Sequence, residues 1–574
     1  MLHRFLELRL QQAVAVVLPD APLSELLVRP CPDSKFGDYQ TNALMSLARE
    51  RKIIPRQLAT DVLAKLNVSE WCEKVEMAGA GFLNFRLKNS ALAQTLQSAA
   101  RGEHLFFYKT EKTRTIVIDF SAPNVAKPMH VGHIRSTILG DSLARLLRRL
   151  NHRVITDNHM GDWGTQFGKL LVGWKTYLNL EKLKSDPISE MERLYKIVNA
   201  TSETDKTLLE NARQELVKLQ NGDEENLRIW REMIALSQKQ FDEVYSRLGI
   251  KFDHALGESF YNPFLKMVVQ ELREKNIARE SEGAMAVFFE EIPELKDHPA
   301  IVQKSDGAAN YATTDLATLQ YRWKTWRPDE IIYVTDGRQQ LHFQQIFAAF
   351  ARWHPEAKIK LAHVWFGSIL GEDGKPFKTR SGETVKLVDL LDEAEERAFK
   401  VVSEKNPELS EAERKEIARI VGLGAVKYAD LLPNRQSDYI FSWDKILALN
   451  GNTAPYLQYA YTRIKSIFRK AETTSNFELQ TANIHLIAPE EIRLAKHFLN
   501  FGLALEAVAE EYRPNYLCNY LYELAGHFAR FYENCPVLKA EPAERNSRLV
   551  LCDLTSRILK QGLEILGIET VEQM

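Results

Sequence analysis

Residues 115–156 constrain the fold of this chain more than any other stretch. Positions 115–120 (Thr-Ile-Val-Ile-Asp-Phe) form a short β-branched apolar run, the pattern of a buried strand. After a Pro- and Asn-containing turn, Ile134, Ile138, Leu139, Leu143, Leu146, Leu147 and Leu150 recur at helical spacing, which predicts an amphipathic helix to about residue 150. Residues 152–156 (His-Arg-Val-Ile-Thr) read as a second strand. A strand, helix and strand of these lengths make a β-α-β unit, which belongs to a parallel sheet. At the predicted helix N-terminus stand His130, Gly132 and His133. That end of a helix presents free N–H groups and the positive end of its dipole, so a polyphosphate can sit there. Gly132 lets a flat base approach the backbone, and the two histidines can donate to a phosphate that gains charge in a transition state. Chance yields about 0.02 His-x-Gly-His matches in a chain of this composition, which favours a functional reading over a capped surface helix.

The rest of the chain is organised around that unit. At 574 residues there is room for three or four domains. The content, 45% hydrophobic and 26% charged, is that of a water-soluble globular protein, and no apolar run reaches the length of a membrane span. Five scattered cysteines (31, 72, 518, 535, 552) form no Cys-x-x-Cys pair, so no structural zinc is expected and a reducing cytoplasm fits. The net charge of −2 does not by itself mark a nucleic-acid binder, so any RNA contact must come from local basic faces. Residues 1–112 read as a small α+β unit, with a turn-rich loop at 31–42 and paired glycines (Gly79, Gly81) before an alternating strand. Strands and helices alternate over 113–371, as in a doubly wound nucleotide-binding fold, interrupted around 176–250 by charged helical sequence. Residues 372–450 hold a polar loop and the first of the later helices, and 451–574 read as an all-α bundle.

Two further groups of residues carry chemistry. The segment 371–387 places Lys375, Lys378 and Arg380 among glycines 371, 374 and 382, a composition suited to closing on a phosphate and neutralising a leaving pyrophosphate. Asp119 ends the first predicted strand, and Asp315 follows Tyr311 in 310–315 (Asn-Tyr-Ala-Thr-Thr-Asp). An acid at the carboxyl edge of a parallel sheet stands where such folds bind ligands, although a helix cap or a bridge to a nearby arginine would equally use Asp119. In 452–470 aromatic residues alternate with Arg463, Lys465, Arg469 and Lys470, a mixture that serves unstacked bases or an ordinary basic helix edge.

The histidine motif resembles the His-Ile-Gly-His signature of class I aminoacyl-tRNA synthetases, with Val131 in place of Ile. The longer string from Ser121 through Lys127 to His133 resembles the arginyl-tRNA synthetase family in particular, and the likeness runs essentially from end to end. The resemblance implies a Rossmann-like catalytic domain, an N-terminal domain touching the D-loop side of tRNA, and a helical anticodon-binding domain. It implies that ATP, as its Mg²⁺ complex, and L-arginine form an adenylate, which is transferred to tRNA(Arg). It further implies that arginine activation waits for bound tRNA, and we expect a cytoplasmic monomer with no membrane or metal site. By residue, it assigns Lys127, His130, His133, Lys378 and Arg380 to catalysis. Gly132, His342 and Lys375 join His130, His133 and Lys378 around ATP. Asp119, Tyr311 and Asp315 would hold the guanidinium, while Ser121, Asn124 and Gln339 would hold the amino acid's backbone end. Lys35, Tyr39, Tyr459 and Arg463 would meet tRNA. Two departures stand out. Ser381 occupies the place of the usual last lysine of the signature loop, so Lys127 is expected to supply that charge. Asp119 stands where many relatives carry Glu, one methylene longer, so its contact is expected to be indirect. The last residues, 566–574, resemble the end of the anticodon-binding domain, so the chain is expected to be complete.

Overall fold

The β-α-β unit is the centre of a four-stranded, all-parallel sheet in the computed structural model, which describes residues 2–377, 385–471, 480 and 483–574. Its strands are Thr115–Asp119, Arg153–Asp157, Glu330–Tyr333 and Lys360–His363. In space their order is Lys360–His363, Glu330–Tyr333, Thr115–Asp119, Arg153–Asp157. The first strand is thus flanked by the second on one side and by the third on the other. This reversal of direction opens a crevice at the carboxyl ends of the two central strands, where Asp119 lies beside Tyr333.

The apolar run at 115–120 is continuous because both faces of the sheet are covered. Ile116 and Ile118 face the core shared with the helix Val131–Arg149, whereas Val117 faces a second core with the helices Tyr311–Trp326 and Gln340–Trp353. The expected strands and helix therefore form within a residue of the predicted bounds.

Before the sheet, an antiparallel four-stranded sheet and helices form the N-terminal unit, with Gly79 and Gly81 in the turn between Cys72–Ala78 and Phe82–Leu87. The interruption of the central fold is larger than its charge pattern suggests. Helices run from Gln166 to Arg247 around their own core of Phe167, Leu170, Met191, Leu194, Ile229 and Met233. A three-stranded antiparallel sheet, Ala278–Ser281, Ala284–Val287 and Ala300–Gln303, then precedes the return to the parallel sheet. Its strands are four residues each, too short for an alternation signal. Among the described residues from Leu387 onward, the regular elements are helices apart from Tyr439–Ile440, which pairs in parallel with Ile369–Leu370. The helices Ala454–Ala471, Asn515–Asn534 and Pro542–Ile565 form where helices were expected. Among the described residues no helix is long and apolar enough to cross a membrane.

Candidate active site

His130 is the N-cap of the Val131–Arg149 helix, and its conformation is extended while the helix begins beyond it. Its ring Nδ1 accepts from the backbone N–H of Gly132 at 3.0 Å, and Nδ1 of His133 accepts from the backbone N–H of His130 at 3.1 Å. With both Nδ1 atoms accepting, the neutral tautomer of each ring carries its proton on Nε2, so two Nε2–H donors are left for a ligand. Burial, then the charges of Lys127 and Arg338, lowers the His130 pKa; burial, then His130, brings His133 down to about 3. Both rings are therefore neutral donors at physiological pH. Their centroids are 4.0 Å apart. Gly132 is required here for a steric reason: a Cβ would stand 2.8 Å from Cε1 of His130 and push the ring aside.

The segment that follows the signature loop is tied to this helix start. Val131 N–H donates to Val385 O at 3.0 Å and Leu387 N–H donates to Met129 O at 2.9 Å. At the other end, Phe377 N–H donates to Ile369 O, with exposed Lys375 in the turn before it. The chain thus enters and leaves the 371–387 segment on paired backbone. Lys378 and Arg380 lie outside the described residues. Lys127 is exposed, with its ammonium 5.4 Å from the ring centre of Tyr195 on the inserted helix Pro187–Thr204. Lys386, which the sequence reading did not single out, forms a bridge pair with His130 and donates from Nζ to Ser189 Oγ at 3.1 Å.

At the crevice between the two central strands lies a cavity of about 430 Å³. Asp119, Asn124, Tyr311, Asp315, Gln339 and His342, six residues singled out from sequence, all line it. Two of these share one helix: Tyr311 and Asp315 are one turn apart, and Arg322, outside the lining, follows two turns later on the same face. Asp315 Oδ2 is 2.6 Å from Nε2 of His342. Burial opposes charging of that histidine, but the hydrogen bond and charge of Asp315 raise its pKa. His342, assigned to the adenosine side by resemblance, is thus a partner of the acid that the guanidinium would meet. Among the described residues nothing donates to Asp315 Oδ1, which is left for a ligand. Asn124 is set by a bridge to Gly161, whose missing Cβ makes room for its amide at 2.3 Å.

Asp119 is buried and held 2.7 Å from Nη2 of Arg322, which also binds Asp157 at 2.8 Å. Burial pushes the Asp119 carboxyl up against the pull of Arg322. The bridge to an arginine, one of the two alternatives for this acid, is what forms, and Asp119 lines the cavity as well. Ser121 does not line the cavity. Its hydroxyl accepts from Thr137 Oγ1 and meets Tyr245 Oη, both at 2.8 Å, so the side-chain contact expected of it is replaced by a role in holding the left-handed turn at φ 75°.

The lining residues given no role from the sequence include His159, Glu258, Tyr333 and Thr335. Burial, then Asp315 and Asp162 against a counter-pull from His159, raises Glu258 to about 7. His159 Nδ1 is 3.0 Å from Leu256 O and so donates to it, which leaves Nε2 as an acceptor. Tyr333 is buried beside Arg322, and burial pushes its pKa up. The only local signal for Glu258 was its place in a Gly-Glu-Ser turn, which is common in loops. Three carboxyl groups and no Lys or Arg line this cavity, a composition that suits a cationic side chain.

The expected RNA-facing residues separate. Lys35 is exposed, but Tyr39 is buried in the N-terminal core and offers no ring to a base, because it sits on the inward face of the Tyr39–Thr41 strand. Between them Asp38 bonds Leu87 N–H and pairs with Lys496 at 2.6 Å, docking the N-terminal unit on the helical bundle. Tyr459 is 43% exposed and shares a groove of about 320 Å³ with Arg463 and Arg469; the Arg463 guanidinium lies 4.6 Å from the ring centre of Tyr532.

Known proteins resemble this chain along its whole length. The pattern of class I (R) tRNA synthetase catalytic domains matches residues 95–443, the arginyl tRNA synthetase N-terminal domain matches 4–87, and the DALR anticodon binding domain matches 457–574. The arginine–tRNA ligase of Chromobacterium violaceum is 46% identical over all of both chains, and that of Escherichia fergusonii is 47% identical over 98% of each. The arginyl-tRNA synthetase of Plasmodium falciparum superimposes with a TM-score of 0.84 at 30% identity, covering 100% of this chain and 99% of its own. That of Thermus thermophilus does so with 0.86 at 26%, covering all of both chains. With a histidine pair set as neutral donors at a helix start, an acidic cavity at the sheet's switch point, and full-length likeness to these proteins, the chain belongs to the arginyl-tRNA synthetase family.

Proposed function

We propose that the 430 Å³ cavity binds L-arginine and that the helix start beside it handles MgATP, in an arginine–tRNA ligase reaction. The observation that carries this reading is the cavity's charge. A guanidinium is a planar fork of five donors, and Asp315, Glu258 and Asp119 are the acceptors that a fork requires. Asn124 and Gln339 suit the amino and carboxylate end. The substrate carboxylate attacks the α-phosphate of ATP, pyrophosphate leaves, and the adenylate esterifies the terminal ribose of tRNA(Arg). No enzyme side chain needs to act as nucleophile. The Nε2–H groups of His130 and His133 donate to phosphate oxygens as charge develops on them, and Lys127, Lys375, Lys378 and Arg380 add positive charge. Mg²⁺ enters with ATP as part of the substrate. We assign residues 1–112 to tRNA contact, 113–371 to catalysis, 372–450 to the signature loop and stem contact, and 451–574 to the anticodon. The protein acts as a cytoplasmic monomer in this reading.

Arginine-dependent exchange of pyrophosphate into ATP, run with and without tRNA and against the other amino acids, tests the assignment. Exchange with arginine only when tRNA is present is expected; exchange with another amino acid overturns the choice of substrate. In the same assay Lys127→Ala is expected to slow turnover about a hundredfold, as for loss of one strong transition-state donor. Near-normal turnover would exclude Lys127 as the substitute for the absent loop lysine.

Glu258 gives a proton signature. Its raised pKa means that the empty site holds it partly protonated near pH 7, and a bound guanidinium favours the charged form. Arginine binding should therefore release a proton, and affinity should rise as pH increases from about 6 towards 8. Calorimetry in buffers of different ionisation enthalpy measures the release, and Glu258→Gln is expected to abolish it. Unchanged release in that variant would exclude Glu258 as the source.

A further inference from the structure

The three parts of the chain meet behind the sheet, far from the site just described. A groove of about 520 Å³ opens there. One wall is the connector from Gly102 to Lys109, another is Arg149, and the floor is the end of the helix Pro542–Ile565. Arg149 is the last residue of the helix that begins beside His130. Nineteen residues at about 1.5 Å each put it roughly 28 Å from the catalytic end. Thr110 N–H bonds to Leu150 O, which fixes the connector against that helix end.

The floor and walls are built, and the charge in them is not neutralised. Arg557 donates to Ala99 O at 3.0 Å and reaches Asp553, so it is spent on structure. His104 accepts at Nδ1 from Phe106 N–H and meets Ser98 through Nε2, so it too is satisfied, and burial lowers its pKa. Lys109, Arg149 and Lys560 are different. They come from three separate elements, they are exposed, and among the described residues none of them pairs with a carboxylate. Arg149 only overlies Phe107, at 5.8 Å from its ring centre. Beside them the ring of Tyr108 is 51% exposed and braced edge-on against His104 at 5.8 Å. Glu103 and Glu564 also line the groove; Glu103 is paired with Arg101 at 2.7 Å and Glu564 offsets one of these charges, which leaves the groove net positive.

Solvated lysines on a helix edge are common and need no ligand. Convergence of three unpaired cations from three elements around one braced aromatic ring, in a concavity of ligand size, is a different arrangement. Cations that converge in this way suit phosphate oxygens, and an exposed ring face suits a flat base. We propose that this groove is a second binding site, for a nucleotide, at the junction of the N-terminal, catalytic and helical parts. Its phosphates lie among Lys109, Arg149 and Lys560, and its base stacks on Tyr108. A ligand there clamps the connector and the C-terminal helix to the rear of the helix that carries the histidine pair.

Guanosine 5′-diphosphate is a suitable probe because its base is not that of the substrate. Titration calorimetry on the full chain with arginine but no other nucleotide present is expected to show a site of Kd about 0.1 mM, which the variants below separate from the catalytic cavity. Charge reversals Arg149→Glu and Lys560→Glu are each expected to weaken it about tenfold, and Tyr108→Ala to weaken guanosine 5′-diphosphate but not inorganic phosphate. Arginine activation without the probe should be unchanged in all three variants, which also checks that they fold. Absence of saturable binding up to about 5 mM, or equal binding by wild type and reversals, overturns the proposal. Loss of tRNA affinity in the reversals without any nucleotide binding also overturns it and makes the groove an RNA surface.

Discussion

Arg322→Met is expected to lower the unfolding free energy by about 3–5 kcal/mol, the cost of removing one partner from a buried ion pair. Here one guanidinium stands between two carboxylates, Asp119 and Asp157, and all three side chains are buried. The triad joins two parallel strands to the helix that also carries Asp315, so its loss leaves two facing charges with no water to solvate them. The pH dependence follows from that. In the variant, burial and the facing Asp157 hold the Asp119 carboxyl above its unfolded pKa with no guanidinium to oppose them, so the stability it allows is present at low pH and lost as pH rises through the folded value. The deficit against wild type should thus be largest at neutral pH and shrink towards pH 4. Adding Asp119→Asn to Arg322→Met should restore part of the loss. Denaturant unfolding checks both, and a deficit that does not depend on pH would show that packing, not charge, is what Arg322 provides.

Asp315→Ala is expected to reduce kcat/KM for arginine by about 10³-fold, the scale of losing one side of a desolvated charge pair, while KM for ATP changes little. Asp315 is the cavity acid with a free oxygen and a partner, His342, that fixes its orientation. Steady-state kinetics separates the two substrates, and equal shifts in both would contradict the assignment. The same variant should lower the His342 pKa, since the hydrogen bond and charge that raise it are gone. A proton NMR titration of that ring reads this directly, and it distinguishes loss of the carboxylate from collapse of the cavity.

The parts legible from the chain were those in which chemistry and period are local. The β-α-β unit, the histidine pair at its turn and the long C-terminal helices each announce themselves within about twenty residues, because period and capping are properties of short segments. The one-turn spacing of Tyr311 and Asp315 is likewise local, and both reach the cavity. Missed residues are of another kind. His159 comes from the loop before the inserted helices and Glu258 from the stretch after them, and only the fold brings both to the cavity that Asp315 lines. The short antiparallel strands at 278–303 had too few residues for any period to show.

Side-chain direction divides the rest. Tyr39 and Ser121 have the residue types that contact ligands, yet both face inward, since a strand alternates its faces and a neighbouring hydroxyl, Tyr245, is available to Ser121. Asp119 was readable as an acid at the edge of a parallel sheet. Whether it would meet substrate or an arginine depended on Arg322, which lies 203 positions away in the sequence and 2.7 Å away in the fold. The chain's own order of residues thus determined the family, the longer elements and the histidine pair at its helix start. Only the tertiary structure decided which carboxylates remain free for a cation, because a free acceptor is one that no distant donor has reached.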